Sequence, residues 1–195
     1  MHEHFMPHLM EMCGSFSTKR RVLDVGCGNG FTAGLLLDKG YDVVGIDTSR
    51  DGIEIARDTY PQGRFEILSA ETGNLLSLLN CQPFDLVVST EVIEHVYDPH
   101  AFVLACYAAL RPGGRFICST PYHGYLKNLA LALFNRWDRH ANPLWRGGHI
   151  KFWSRKTLSQ LFTDAGFVNL QFRGAGRMPY LWMTMLMSGE RPKES

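Results

Sequence analysis

The chain has 195 residues, 45% of them hydrophobic and 20% charged, which is one ordinary domain's worth of sequence with enough apolar material for a sizeable core. That composition excludes a disordered chain, a coiled coil and a collagen-like repeat. Lys and Arg number 20 against 19 Asp and Glu, for a formal charge of +1. A strongly basic nucleic-acid binder is excluded at whole-chain level, while a local basic face stays open.

Five cysteines stand at 13, 27, 81, 106 and 118, an odd number with no C-x-x-C pair. Neither a disulfide framework nor a thiolate zinc site is expected, and a reducing interior fits. Met1-His2-Glu3-His4 has no basic stretch leading into an apolar one, so no signal peptide is expected. No apolar run, Leu129 to Phe134 among them, approaches the ~20 residues of a membrane-spanning helix. The expectation is a soluble, cytoplasmic protein whose residues 1–195 form a single domain, monomeric or homodimeric.

In chain order, Val22 to Val25 is a short apolar strand running into Gly26-Cys27-Gly28-Asn29-Gly30. A helix follows over Thr32 to Lys39, closed by Gly40. Val43 to Asp47 is a second strand, and Ser49 caps a helix that Pro61 and Gly63 stop. Arg64 to Leu68 is a third strand, followed by a short helix over Asn74 to Leu79. Phe84 to Ser89, nearly all apolar, is a strand buried on both faces. Asp98-Pro99 opens a helix to Leu110, and Arg111 to Gly114 is a turn before a strand over Arg115 to Thr120. Ser154 caps a last helix ending at Gly166. Phe167 to Arg173 and Tyr180 to Met187 are the final strands.

Strand–helix alternation predicts a parallel sheet with helices on both faces. No helix fits between the last two strands, so they are expected to pair antiparallel. The predicted architecture is a single-domain, Rossmann-like α/β sheet of seven strands, mostly parallel. One irregular stretch, 121–151, is inserted before the last helix.

Ligands of such sheets bind outside the carboxyl ends of the strands. The glycine loop lies at such an end, and Asp47 at the next strand's end is placed to accept two hydrogen bonds from a ribose diol. A dinucleotide fingerprint would need a small residue where Phe31 stands, and no P-loop is present. A nucleoside-containing cofactor without a pyrophosphate fits best.

Those residues resemble a known family. Val22 to Gly30 looks like the first motif of class I S-adenosylmethionine (SAM) methyltransferases, and Gly45-Ile46-Asp47 like the second. Phe84 to Val88 and Leu110 to Gly114 look like the later motifs. Within that superfamily, Glu91-Val92-Ile93-Glu94-His95-Val96 followed by Asp98-Pro99 is similar to the ubiquinone-biosynthesis O-methyltransferases. The Ser-Thr at the fifth strand's end, the insertion and Gly147-Gly148-His149 are similar too. The resemblance implies a SAM cofactor, with S-adenosylhomocysteine as product. It implies Gly26, Gly28 and Gly30 along the methionine part, and Asp24 reaching the amino group through water. It implies Asp47 on the ribose, Thr48 beside the adenine, Ala70 and Glu71 flanking the ring, and Thr90 near the sulfonium. The family has a longer N-terminal segment with an arginine near SAM; here some twenty residues precede the first strand, and neither Arg20 nor Arg21 is matched to that arginine.

Glu91, Glu94 and His95 share one face if the chain turns helically there. Two carboxylates and an imidazole can hold a divalent cation, Mg²⁺ or Mn²⁺ by their oxygen content, and the resemblance points the same way. The alternative is local capping and packing. His149, after two glycines, completes the cluster or acts as general base, so His149 and Glu91 are the candidate catalytic groups. The other histidines, His2, His4 and His8 among them, are expected on the surface.

From Ser119 to Lys156 the basic residues are Lys127, Arg136, Arg139, Arg146, Lys151, Arg155 and Lys156, against Asp138 alone. Leu126, Leu129, Leu133 and Trp137 recur at helical spacing. This insertion is expected to be a lid over an apolar or aromatic small-molecule acceptor, or a surface for anionic lipid. RNA ranks below both. The leading expectation is methylation of a hydroxyl. The alternatives are a metal-assisted RNA 2′-O-methyltransferase and a non-catalytic SAM-binding module.

Overall fold

The structure, a computed structural model, describes residues 4–14 and 20–193. Five short apolar runs form parallel strands: β1 Arg21–Val25, β2 Asp42–Asp47, β3 Arg64–Ile67, β4 Phe84–Thr90 and β5 Leu110–Pro121. β6 Val168–Ala175 and β7 Thr184–Glu190 complete a seven-stranded sheet of order β3-β2-β1-β4-β5-β7-β6. β7 lies antiparallel between β5 and β6. The order reverses between β1 and β4. At that switch point, crossovers leave on opposite faces and a crevice opens at the carboxyl ends.

Helices cover both faces: α1 Met6–Cys13, α2 Phe31–Asp38, α3 Arg50–Thr59, α4 Leu75–Leu79, α5 Pro99–Ala109, α6 Tyr125–Leu133, α7 Trp137–His140 and α8 Arg155–Asp164. Their starts follow from side-chain oxygens that accept otherwise unpaired backbone N–H groups. Ser49 accepts from Gly52, Asp98 from Ala101, and Ser154 exchanges bonds with Thr157 in a capping box.

The central strands alternate between two cores. Leu23, Val87 and Phe116 pack on one face with Phe102 and Phe162, and Val22, Val88 and Ile117 on the other with Leu9 and Ile53. A period of two with both faces buried explains why these strands read as continuous apolar runs. No helix among the described residues is long and apolar enough to cross a membrane. All five cysteines are unpaired.

Several expectations are corrected. Helix α1 was not foreseen. β5 starts at Leu110, so the expected turn over Arg111 to Gly114 is an irregular strand start, with Gly113 N–H donating to the Arg191 carbonyl. β7 begins at Thr184 instead of Tyr180, and Met183 N–H donates to the Ala175 carbonyl where the hairpin closes. Residues 91–95 form a tight turn, not a helical face: Glu91 has φ +56°, and His95 N–H donates to the Val92 carbonyl. His4 and His8 are half-buried and His123 is buried, so the surface assignment fails for them. His2 lies outside the described residues.

Candidate active site

The crevice beyond β1, β2 and β4 holds two adjoining cavities. The smaller, about 360 Å³, is lined by Gly26, Asp47, Thr48, Ala70, Glu71 and Thr90 among others. The larger, about 920 Å³, lies beneath the insertion. Glu91 and His95 line both. Both volumes suit small ligands.

The glycine loop is bent by three positive φ angles, +77° at Gly26, +52° at Gly28 and +82° at Gly30, a region that only glycine enters without a steric penalty. The three differ in what a side chain would meet. A Cβ at Gly26 would lie 2.3 Å from Val92 Cγ2, and one at Gly30 would press on Ala56 and Tyr60. A Cβ at Gly28 would meet nothing within 4 Å. Gly26 and Gly30 are glycines for packing, whereas Gly28 keeps open space in front of the loop.

Asp47 fastens the loop. One carboxylate oxygen accepts from Gly28 N–H at 2.8 Å and the other from Ser49 N–H at 2.7 Å. A carboxylate offers about four acceptor positions, so two remain for a diol. Asp24 sits fully buried behind the loop, and neither carboxylate oxygen makes a hydrogen bond to the described residues. Burial pushes its pKa up to about 7, Asp47 adds to the rise, and the Ala33 backbone amide opposes it. A buried carboxylate without a partner is costly unless it is protonated or meets a cation or water. These features fit SAM: an acid for its amino group, open space along Gly28, and acceptors for its ribose. Thr90 stands at the rim, its hydroxyl 3.4 Å from that of Thr32. The Glu71 carboxylate accepts from Asp98 N–H at 3.3 Å.

The acidic–histidine cluster assembles differently from the pattern read in the sequence. Glu91 turns toward β5, where its Oε1 accepts from the Ser119 hydroxyl at 3.0 Å. Burial pushes its pKa up to about 7, against the Ser119 hydrogen bond and Lys127. Glu94 is buried. Its Oε2 accepts from the Thr120 hydroxyl at 3.0 Å, while Oε1 has no hydrogen-bond partner among the described residues. Burial, then Glu91, pushes the Glu94 pKa up to about 8. The free Oε1 lies 4.0 Å from His95 Nε2 and 3.9 Å from His149 Nε2. Glu94, His95 and His149 thus offer three ligand atoms within 4.8 Å of one another, and Glu91 stands outside that group.

The arrangement suits a cation for two further reasons. His95 Nδ1 lies 3.3 Å from the Gly148 carbonyl; with its proton there, Nε2 presents its lone pair to the cluster, a common way to orient a ligating imidazole. Burial, His95 and Lys127 all lower the His149 pKa, favouring the neutral ring that a metal needs.

The insertion is tied down at this turn. Ile150 and Lys151 N–H both donate to the Glu94 carbonyl, and His123 N–H to the Trp153 carbonyl. Neither α6 nor α7 has a buried residue. The stripe Leu126, Leu129 and Leu133 is exposed, and the face of Lys127, Ala130, Leu131 and Phe134 lines the cavity instead. Lys127, Arg177 and Trp182 were missed as cavity residues. Lys127 sits one position off the apolar stripe, and Arg177 lies in a connection with no periodic signal.

The sequence profile described as "Methyltransferase domain" matches residues 1–172. The ubiquinone biosynthesis O-methyltransferase of Dinoroseobacter shibae is 32% identical over 159 residues, covering 79% of this chain and 62% of that one. The enzyme of the same name from Cereibacter sphaeroides is 32% identical over 163 residues, covering 83% and 66%. The chain spans less than two thirds of the length of these relatives. Among solved structures, a SAM-dependent methyltransferase from Methanosarcina mazei superposes with a TM-score of 0.71 at 20% identity, covering 94% of this chain and 98% of that one.

Proposed function

Given that the chain belongs to the methyltransferase domain family, we propose that it transfers the methyl group of SAM to a hydroxyl of a small acceptor with an apolar body. The observation that carries this reading is the meeting of the two cavities at Glu91 and His95. A cofactor in the smaller would face an acceptor in the larger across those side chains. SAM supplies an already activated methyl carbon, so the protein's task is orientation and exclusion of water.

Asp24, Asp47 and the loop hold the cofactor, and Thr48, Ala70, Glu71 and Thr90 line its cleft. Glu91, with a pKa near neutrality and a place on both cavities, accepts the acceptor's hydroxyl proton. Glu94, His95 and His149 would hold a divalent cation, and its charge would favour loss of the acceptor's hydroxyl proton. Two imidazoles and one carboxylate favour Mn²⁺ over Mg²⁺, which prefers oxygen ligands. The supporting names are those of the ubiquinone O-methyltransferases.

The exposed stripe of α6 favours a second role for the insertion. Leu126, Leu129 and Leu133 are exposed, as are Tyr125 and Arg139, a combination suited to the surface of an anionic membrane. An apolar acceptor could then be taken from lipid. Screening labelled SAM against phenols, lipids and short RNAs, with calorimetry of S-adenosylhomocysteine, tests the assignment. Methylation of phenols or lipids supports it; RNA as sole acceptor, or cofactor binding with no transfer, overturns it.

A further inference from the structure

The larger cavity carries an uneven distribution of charge. Most of its wall is apolar, from Phe5, Leu131, Phe134, Leu181 and Trp182. Three basic side chains, Lys127, Arg136 and Arg177, line it as well. They come from α6, from the segment after it and from the connection between β6 and β7, segments that meet only in the fold. Among the described residues none of the three has a carboxylate within salt-bridge distance. Among the described residues the acids on the wall are Glu91 and Glu94; Ser119 engages Glu91 and Thr120 engages one oxygen of Glu94, whose other oxygen faces His95 and His149.

Lys127 is the telling member. It is half-buried, and its pKa falls to about 8 through burial and then the nearby Arg177, with Glu91 opposing. An ammonium partly withdrawn from water and facing a guanidinium across the same cavity, with no carboxylate in salt-bridge contact among the described residues, is an unfavourable arrangement that an incoming anion relieves. Neither Lys127 nor Arg177 lines the smaller cleft, so the carboxylate of SAM does not explain them.

We propose that the acceptor is an anionic amphiphile: a compact oxyanion, carboxylate or phosphate, seats between Lys127 and Arg177 while its apolar body lies against Leu181 and Trp182. This rests on the reading of the larger cavity as the acceptor site, and it narrows the substrate class to acids that also bear a hydroxyl. The two cations select the acceptor by charge, and the aromatic wall by shape. Arg–oxyanion pairing is directional and Lys adds a point charge.

The test uses matched probes: 4-butylbenzoate, 4-butylphenyl phosphate and the uncharged 4-butylbenzamide. Each is titrated against the full chain, with and without S-adenosylhomocysteine, by tryptophan fluorescence, since Trp145 and Trp182 both line the cavity. At least one anion should bind ten or more times tighter than the amide, and the stronger anion identifies the group. Lys127→Met with Arg177→Met should bring anion and amide within twofold of each other, while Lys127→Arg keeps the preference. Equal binding of all three probes, no binding of any, or a preference that survives the double substitution overturns the proposal. S-Adenosylhomocysteine affinity is read separately. Its absence sinks the methyltransferase assignment, while the anion preference is still scored on the chain without cofactor.

Discussion

The Asp47 carboxylate and the Gly28 amide are 2.8 Å apart, and this side-chain bond adds to those from Gly26 and Cys27 N–H to the Ile46 carbonyl in joining the end of β2 to the glycine loop after β1. The same carboxylate holds Ser49 N–H at 2.7 Å, so it shapes the floor of the smaller cleft before any ligand arrives.

Asp47→Ala therefore removes the side-chain fastening of the loop together with the ribose acceptors. Each charge-assisted bond lost costs about 1.5–3 kcal/mol. Calorimetry should show S-adenosylhomocysteine binding weakened at least tenfold, with a lower melting temperature. Asp47→Asn, which keeps one acceptor oxygen, should fall between. Unchanged affinity in the alanine variant would move the cofactor site elsewhere.

Two neighbouring glycines should respond in opposite ways. Gly26→Ala drives a methyl group toward Val92 Cγ2, 2.3 Å away, on a backbone at φ +77°, so thermal unfolding should reveal a large loss of stability. Adding Val92→Ala should restore part of it. Gly28→Val meets no protein atom at its Cβ and carries chiefly the left-handed penalty, about 1–2 kcal/mol. It should fold but fail to bind the cofactor in calorimetry.

Asp24 links the cofactor to pH. Its folded pKa is about 7 against an ordinary value of 3.8, so without cofactor the folded state holds the proton that the unfolded chain releases. Between about pH 4 and 7 the folded state binds more protons, and this contribution to stability is lost as pH rises through that window. Asp24→Asn should flatten that dependence. A cationic amino group brought near Asp24 lowers its pKa, so SAM binding at pH 6 should release a proton. Titrations in two buffers of different ionisation enthalpy measure that release; zero proton exchange would place the amino group away from Asp24.

For the metal, Mn²⁺ should bind the parent in calorimetry, and Glu94→Gln and His149→Ala should each abolish it. Glu91→Gln should retain metal while losing turnover, because Glu91 stands outside the three-ligand group. EDTA should lower methyl transfer to a hydroxyl acceptor and Mn²⁺ restore it, with S-adenosylhomocysteine binding unaffected. Full activity in chelator returns the cluster to a packing role.

The insertion should be the first site of limited proteolysis, near Arg136 to Arg146, since α6 and α7 bury no residue. Acceptor should protect it, because that face closes the larger cavity. Identical cleavage rates with and without ligand would argue against a lid.

Sequence and structure divide along the range of the forces involved. Periodicity, caps and glycine placement are local, and they sufficed for the strands through β4, the starts of α3, α5 and α8, the antiparallel end of the sheet, and for naming Gly26, Asp47, Thr48, Ala70, Glu71 and Thr90, which share one cleft. The seven strands could be counted because each carries its own apolar run bounded by its own turn. Contacts between distant segments have no such signature. Glu91 at φ +56° turns to Ser119, 28 positions on, and leaves Glu94 and His95 to meet His149. Helix α6 offers apolar residues on more than one face, so its spacing alone pointed to Leu126, Leu129 and Leu133, yet docking turned Lys127 and Leu131 inward. The pairing of Lys127 with Arg177 joins segments fifty residues apart. The chain by itself determined most of the strands and helices and the sheet they build, because those follow from backbone geometry and local burial. Only the tertiary structure decided which charged side chains share a cavity, because desolvation and Coulomb interaction depend on distance in space and are blind to distance along the chain.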